Sequence, residues 1–280
     1  MTAPSAPNPA SVQTVLQFTD LENPQDVAVD AEGNVYVADV HRFKDDKGFP
    51  DATTRVIKLA AGSDTPAVLP QFVHAGLMGR IPREPSGSRM PDDQLVKLAV
   101  GSGTQTVLPL PDLGGRGDVM AVDTADNVCG ANGGAVYSDG GCCIAVHVVK
   151  SAAGSNAPTV LPFKPVNDIG WMAVDTFGDV YVGDFDRNRV PKLAAGADTP
   201  TVLPFTNVHG IAGVAVDAAG SVYVVDGDHN RVLKLAAGTD TPTVLPFTGM
   251  NHPVRVGVNS SGNVYVVDGG NHRVLKLGAD

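Results

Sequence analysis

Val160-Leu161-Pro162-Phe163, Val202-Leu203-Pro204-Phe205 and Val244-Leu245-Pro246-Phe247 recur at a strict spacing of 42 residues. Each is followed by an Ala-Val-Asp segment (Ala173-Val174-Asp175, Ala215-Val216-Asp217, degenerating to Gly257-Val258-Asn259). Then come a Val-Tyr-Val run starting at Val180, Val222 and Val264, an Asp, an Arg-Val pair and a Lys-Leu pair. Val, Leu and Tyr alternate with polar or small residues, and Gly, Asn, Asp and Pro separate the runs, which is the pattern of short antiparallel strands. Each unit supplies four strands. One four-stranded sheet cannot bury both of its faces, so such units gain stability by packing face to face around a ring.

Weaker copies precede these three. Val15-Leu16-Gln17-Phe18, Val68-Leu69-Pro70 and Val107-Leu108-Pro109 mark fourth-type strands, and Lys58-Leu59, Lys97-Leu98 and Val149-Lys150 mark third-type strands. The sequence therefore predicts an all-β, six-bladed β-propeller of four-stranded antiparallel blades. The strand Val12 to Phe18 is expected to close the ring by completing the C-terminal blade, which pairs edges that would otherwise be exposed. The expected domain covers residues 11–280, after a Pro/Ala/Ser-rich flexible tail at residues 1–10.

The phrases Ala-Val-Asp, Gly-Asn-Val-Tyr-Val-x-Asp and Asn-Arg-Val-x-Lys-Leu resemble NHL repeats. The accompanying Ala-Ala-Gly-x-x-Thr-Pro-Thr-Val-Leu-Pro-Phe-Thr is similar to the extracellular sensor propeller of actinobacterial receptor serine/threonine kinases. The resemblance covers about residues 11–280 and implies a recognition surface. Some NHL-like propellers are lyases or hydrolases with a metal at the axis, and no kinase motif accompanies the propeller here.

The departures from the repeat are unevenly spread. The second unit is degenerate: Gln71 to Gln94 lacks both the Ala-Val-Asp and the Val-Tyr-Val segments, and Pro82 and Pro85 flanking Arg83-Glu84 remove ladder donors. Its neighbours carry insertions between their second and third strands. Asp39 reaches Arg55 only after 11 more residues than separate Asp184 from Arg189, and Gly130 to His147 is similarly lengthened. Both insertions are expected to emerge as loops on one face, where binding residues commonly sit on rigid scaffolds. The alternative is that they cover a packing gap left by the decayed second unit.

A net charge of -10 repels phosphate backbones, and the 20 Lys and Arg are scattered, so no nucleic-acid partner is expected. No window approaches the ~20 consecutive apolar residues of a membrane span, and the first ten residues lack a signal-peptide pattern. As written the chain is expected to be a soluble, cytoplasmic monomer, or extracytoplasmic if it is a fragment of an anchored receptor. Cys129, Cys142 and Cys143 do not match zinc spacing; either they are small strand residues or one cross-strand disulfide joins Cys129 to the pair.

Aligning the turns that lead into each innermost strand places Asp26, Val119, Trp171, Gly213 and Arg255 at one equivalent position around the channel mouth. An acid, an indole and a guanidinium there can hold a small polar or zwitterionic ligand, with Trp171 as platform and Arg255 as carboxylate clamp. Alternatively Trp171 fills space between blades and Arg255 pairs with Asp26 or another acid. His41 and Arg42 of the first insertion, Arg80 of the second unit and His209 of a lead-in loop complete the candidate ligand-binding set. Asp184, Asp226 and Asp268, each followed five residues later by an Arg, read as hairpin braces because they repeat.

No Gly-x-Ser-x-Gly elbow or phosphate loop is present, so no catalytic residue, metal or cofactor is expected. The functional expectation is a non-catalytic sensor or scaffold propeller that binds a small molecule or protein partner on its insertion-bearing face. The alternative is a metal-dependent lyase or hydrolase, with a metal held by His209, His252 or His41 near the axis.

Overall fold

A computed structural model describes residues 12–30, 32–44, 50–69, 95–98, 105–108, 120–122, 127–138, 141–153, 155, 157, 159–164 and 169–279. Strand β1 (Gln13–Val15) is followed by a blade of β2 (Pro24–Val29), β3 (Val35–Lys44), β4 (Pro50–Leu59) and β5 (Pro66–Val68). The second unit gives β6 (Leu95–Leu98) and β7 (Gln105–Leu108). Next are β8 (Met120–Val122), β9 (Val128–Ser138), β10 (Gly141–Ser151) and β11 (Thr159–Val160), then β12 (Ile169–Val174), β13 (Val180–Asp184), β14 (Pro191–Leu193) and β15 (Thr201–Val202). The last strands are β16 (Ile211–Val216), β17 (Val222–Asp226), β18 (Arg231–Leu235), β19 (Thr243–Val244), β20 (Pro253–Val258), β21 (Val264–Asp268) and β22 (Arg273–Leu277).

These strands form five blades of four antiparallel strands, which corrects the expectation of six. The second unit contributes a two-stranded ladder, Leu95 opposite Leu108 through Leu98 opposite Gln105. The physical reason is legible in its sequence: it retains the third- and fourth-strand motifs but not the segments that build inner strands elsewhere. Residues 70–94, including Arg80, lie outside the described residues, as do the tail at 1–10 and Val119. The last blade is composite, in the order β1-β22-β21-β20, with Gln13 opposite Leu277 and Val15 opposite Leu275. Gln13 also exchanges side-chain hydrogen bonds with the backbone of Thr248, tying the first strand to the loop before the last blade.

The core lies between blades. Tyr181 and Val190 of one blade pack against Phe205, Val208, Ile211 and Val224 of the next, and Tyr223, Val225 and Val232 repeat this contact against Val256, Val264 and Val266. Each fully buried Val or Ile stabilises the ring by roughly 1.5–3 kcal/mol. The Tyr hydroxyls are satisfied rather than stranded: Tyr36, Tyr181 and Tyr223 donate to Asp30, Asp175 and Asp217 at 2.9 to 3.0 Å. The outer strands expose Val68, Val160, Val202 and Val244, but they are two or three residues long and bounded by prolines, which blunts them as edges.

The repeated Asp–Arg pairs are braces, and they do more than staple a hairpin. Asp39, Asp184, Asp226 and Asp268 are fully buried and accept from Arg55, Arg189, Arg231 and Arg273 at 2.7 to 3.0 Å. The same carboxylates of Asp39, Asp226 and Asp268 accept backbone N–H groups of Asn23, His209 and Asn251 in the lead-in loops. Arg231 and Arg273 return to loop carbonyls of Asn207 and Gly249 at 2.7 Å. The braces of Asp39, Asp226 and Asp268 therefore fix the loops that lead into their innermost strands.

Candidate functional site

The innermost strands β2, β12, β16 and β20 each begin with a β-bulge, between Pro24/Asp26, Ile169/Trp171, Ile211/Gly213 and Pro253/Arg255. Asp26, Trp171, Gly213 and Arg255 follow those bulges and face Ala38, Gly183, Val225 and Val267, so they occupy one register position in four blades. A bulge re-aims the side chain that follows it. Here it sets the four residues at the start of the innermost strands of their blades.

Arg255 crosses a whole blade. Its guanidinium carbon lies 3.7 Å over the Trp171 ring, and Nη1 donates to the carbonyls of Ala212 and, at 2.7 Å, Val254. Gly213 lies at a close approach of β16 and β20, where a Cβ would sit 3.1 Å from Arg255 Cα and 3.2 Å from the Val256 nitrogen. Trp171 is buried beneath the cation. Platform and clamp are thus engaged with each other, and Arg255 takes backbone carbonyls as acceptors.

Asp26 is 5% exposed. Its Oδ1 accepts the Val27 N–H at 2.7 Å, whereas Oδ2 is buried with no hydrogen-bond partner among the described residues. Burial pushes this carboxyl up to about 7, against the opposing pull of the Arg255 charge and the Val27 hydrogen bond. The axis therefore holds a permanent cation beside an acid that changes charge near neutrality.

Over their described residues both insertions are antiparallel arms, not loops. Beyond the Asp39–Arg55 pair, β3 and β4 stay in register from Val40 opposite Thr54 to Lys44 opposite Pro50. Beyond Asn132 opposite His147, where other blades place Asp and Arg, β9 and β10 continue from Gly133 opposite Val146 to Ser138 opposite Gly141. Five and six further residue pairs carry each arm about 17–20 Å past the ordinary turn. Of the two readings of the cysteines, a disulfide joining Cys129 to the pair is incompatible with this register. Cys129 faces Lys150, whereas Cys142 faces Tyr137, eight residues farther along β9, a distance of about 27 Å that no single bond spans.

Glu22, in the lead-in loop of the first blade, clamps its arm. Its carboxylate meets His41 Nδ1 at 2.5 Å and accepts the Arg42 N–H at 3.1 Å, contacts that hold the Glu22 carboxyl below its ordinary range. The arm and the lead-in loops therefore share a face. No sequence motif marks Glu22, because a contact across 20 residues is set by the fold.

His41 also stacks on Phe43, and His209 sits edge-on to His229 with ring centroids 5.4 Å apart, while His229 Nδ1 is 2.9 Å from Asp226. His252 adopts φ 50° and donates its N–H to Asn230. These imidazoles are on one face but are held by separate local partners. Among the described residues no three His, Cys, Asp or Glu side chains are grouped as metal ligands.

The model of the NHL repeat matches residues 21–44 and 250–277, the two stretches that contribute Glu22, Asp26 and Arg255. No curated protein matches the chain in sequence. Solved structures share the fold. A luciferin-regenerating enzyme is 12% identical over 96% of both chains with a TM-score of 0.63. A Bacteroides thetaiotaomicron protein of unknown function is 14% identical, with 95% of this chain and 72% of that one covered and a TM-score of 0.58. The virginiamycin B lyase of Staphylococcus aureus is 12% identical, with 96% of this chain and 100% of that one covered and a TM-score of 0.54.

Proposed function

We propose that this NHL-repeat propeller is a recognition module that takes a ligand or protein partner on the face bearing the two arms, in a sensing or scaffolding role. The observation that carries the reading is the pair of extended hairpins flanking the second unit, on a ring whose other blades close with short turns. A rigid scaffold with locally extended elements is the usual arrangement for binding. The axis set of Asp26, Trp171 and Arg255 forms the centre of that face, with His41 and Arg42 at its margin. A catalytic reading has one observation in its favour: an acid titrating near neutrality is suited to proton transfer. The shared fold with a lyase adds only architecture.

The test is to replace residues 40–54 and 133–146 by the short turn Gly227-Asp228-His229-Asn230. Both proteins are then screened by thermal shift against small polar compounds and peptides. Compounds that raise the Tm of the full chain but not of the trimmed chain support recognition by the arms. Equal shifts in both proteins, or none in the full chain, contradict it.

A further inference from the structure

We infer that the blade of β16 to β19 carries a binding site for a small primary carboxamide, taken up between Asp217 and the N–H of Ala237. Both residues sit in turns at the strand ends opposite the arms. The site therefore goes beyond the recognition reading and does not rest on it.

The inference starts from a contact that four blades make and this one lacks. The side-chain oxygens of Asn34, Asn127, Asp179 and Asn263, each just before a second strand, accept an N–H from the turn that follows the third strand. The donors are Ala61, Ala153, Ala195 and Ala279, at 2.8 to 3.1 Å. The equivalent pair here is Ser221 and Ala237. A serine side chain is a bond shorter than asparagine, and among the described residues the Ala237 N–H has no protein partner.

The first blade shows what fits the gap. Asn34 Nδ2 donates to Asp30 Oδ2 at 2.7 Å while Asn34 Oδ1 accepts the Ala61 N–H, so one carboxamide bridges an acid and a backbone donor. Asp30 Oδ2 also accepts the Tyr36 hydroxyl. Asp217 repeats this arrangement: Oδ1 accepts the Ser221 N–H at 2.8 Å and Oδ2 accepts the Tyr223 hydroxyl at 3.0 Å. Only the bridging carboxamide is missing. A carboxylate oxygen has room for a second donor, so Asp217 and Ala237 offer an acceptor and a donor to a ligand.

A cavity of about 120 Å³ lies beside the gap. Gly220 and Val222, the chain neighbours of Ser221, line it together with Ala237, and Leu203 and Leu235 give it an apolar floor. That is room for more than one water. The cation on its wall, Lys192, is paired with Asp179 at 2.7 Å. A carboxylate ligand would face the Asp217 carboxylate, and an ammonium would leave the Ala237 N–H without an acceptor. A primary carboxamide serves both groups, and a compact aliphatic substituent on it covers the leucines.

The probe is isobutyramide, with isobutyrate and N,N-dimethylisobutyramide as controls, titrated into the full chain and followed by amide-resolved NMR. Saturable shifts at Ser221 and Ala237 are expected, with a Kd of roughly 1–50 mM for a ligand of this size. Asp26 and His41 should not shift, so the result is read separately from any binding at the arms. Neither control should bind, because each lacks the N–H donor for Asp217. Ser221→Asn, which copies Asn34, should fill the gap from within, raise Tm and abolish the isobutyramide response. Ser221→Asp, which copies Asp179, should abolish it by the same contact and serves if the first variant does not fold, as circular dichroism shows. No saturation up to roughly 200 mM, the result for a gap filled by water alone, would overturn the inference. So would equal binding of either control, or an undiminished response in a folded variant.

Discussion

Arg255 lies 3.7 Å over the ring of Trp171 although the two residues belong to blades separated by a third. The intervening blade carries Gly213 at the same register position, where its backbone approaches that of Arg255 and Val256 closely. The three positions work as one arrangement: bulge, absent side chain, stack. Such a cation–π contact contributes about 0.5–2 kcal/mol.

Gly213→Ala should disturb this arrangement. The added methyl would meet Arg255 Cα and the Val256 nitrogen, both backbone atoms that cannot rotate away. Overpacking of this kind costs roughly 1–3 kcal/mol. Trp171 is the one tryptophan of the chain, so its emission reports the stack directly. A lower Tm with a shifted emission maximum is expected; wild-type values for both would show that the blades have slack here.

Asp26 should make stability fall as pH rises. Its folded-state value of about 7 lies above the unfolded value near ~3.9, so the folded chain binds more protons between them and loses stability up to about pH 7. Asp26→Asn removes this dependence. The Tm difference, variant minus wild type, should grow from about pH 4 to about pH 7 and level off above it. A constant difference across that range would show that the carboxyl does not titrate there.

Asp226→Ala should destabilise more than the loss of a surface ion pair, which is typically worth about 0–1 kcal/mol. The fully buried carboxylate serves the His209 N–H, His229 and Arg231 together, so its removal orphans a lead-in loop. A loss of about 3 kcal/mol in denaturant unfolding is expected. A loss within the surface range would mean that water replaces the carboxylate.

Deleting residues 1–18 should lower Tm sharply. The deletion removes β1, the Leu16 N–H bond to Val274 and both Gln13–Thr248 bonds, leaving β22 as an open edge. Faster proteolysis near Leu275 should accompany it. An unchanged melting point would mean that the closing strand adds nothing to the ring.

The blade pattern was legible because four of the blades share the same groups: a buried Tyr, an Asp–Arg brace and a Gly-containing turn. The equivalence of Asp26, Trp171, Gly213 and Arg255 was legible for the same reason. What the alignment could not provide was direction. It placed a platform and a clamp at the mouth, but the stack of Arg255 on Trp171 is a contact between blades separated by a third, which no local pattern marks. The arms were legible as length, not as strands, because Gly133-Gly134 and Gly140-Gly141 resemble turn segments while the ladder continues through the first pair. The blade number was overestimated because third- and fourth-strand motifs survive in the second unit without the inner pair.

The central claim is that the arm-bearing face recognises a ligand, and mapping amide chemical-shift changes during a small-molecule and peptide screen tests it most directly. The account predicts perturbations at Asp26, His41, Arg42, Trp171 and Arg255. Perturbations confined to the opposite turns, around Phe177 and Ala219, or no binder at all, would contradict it.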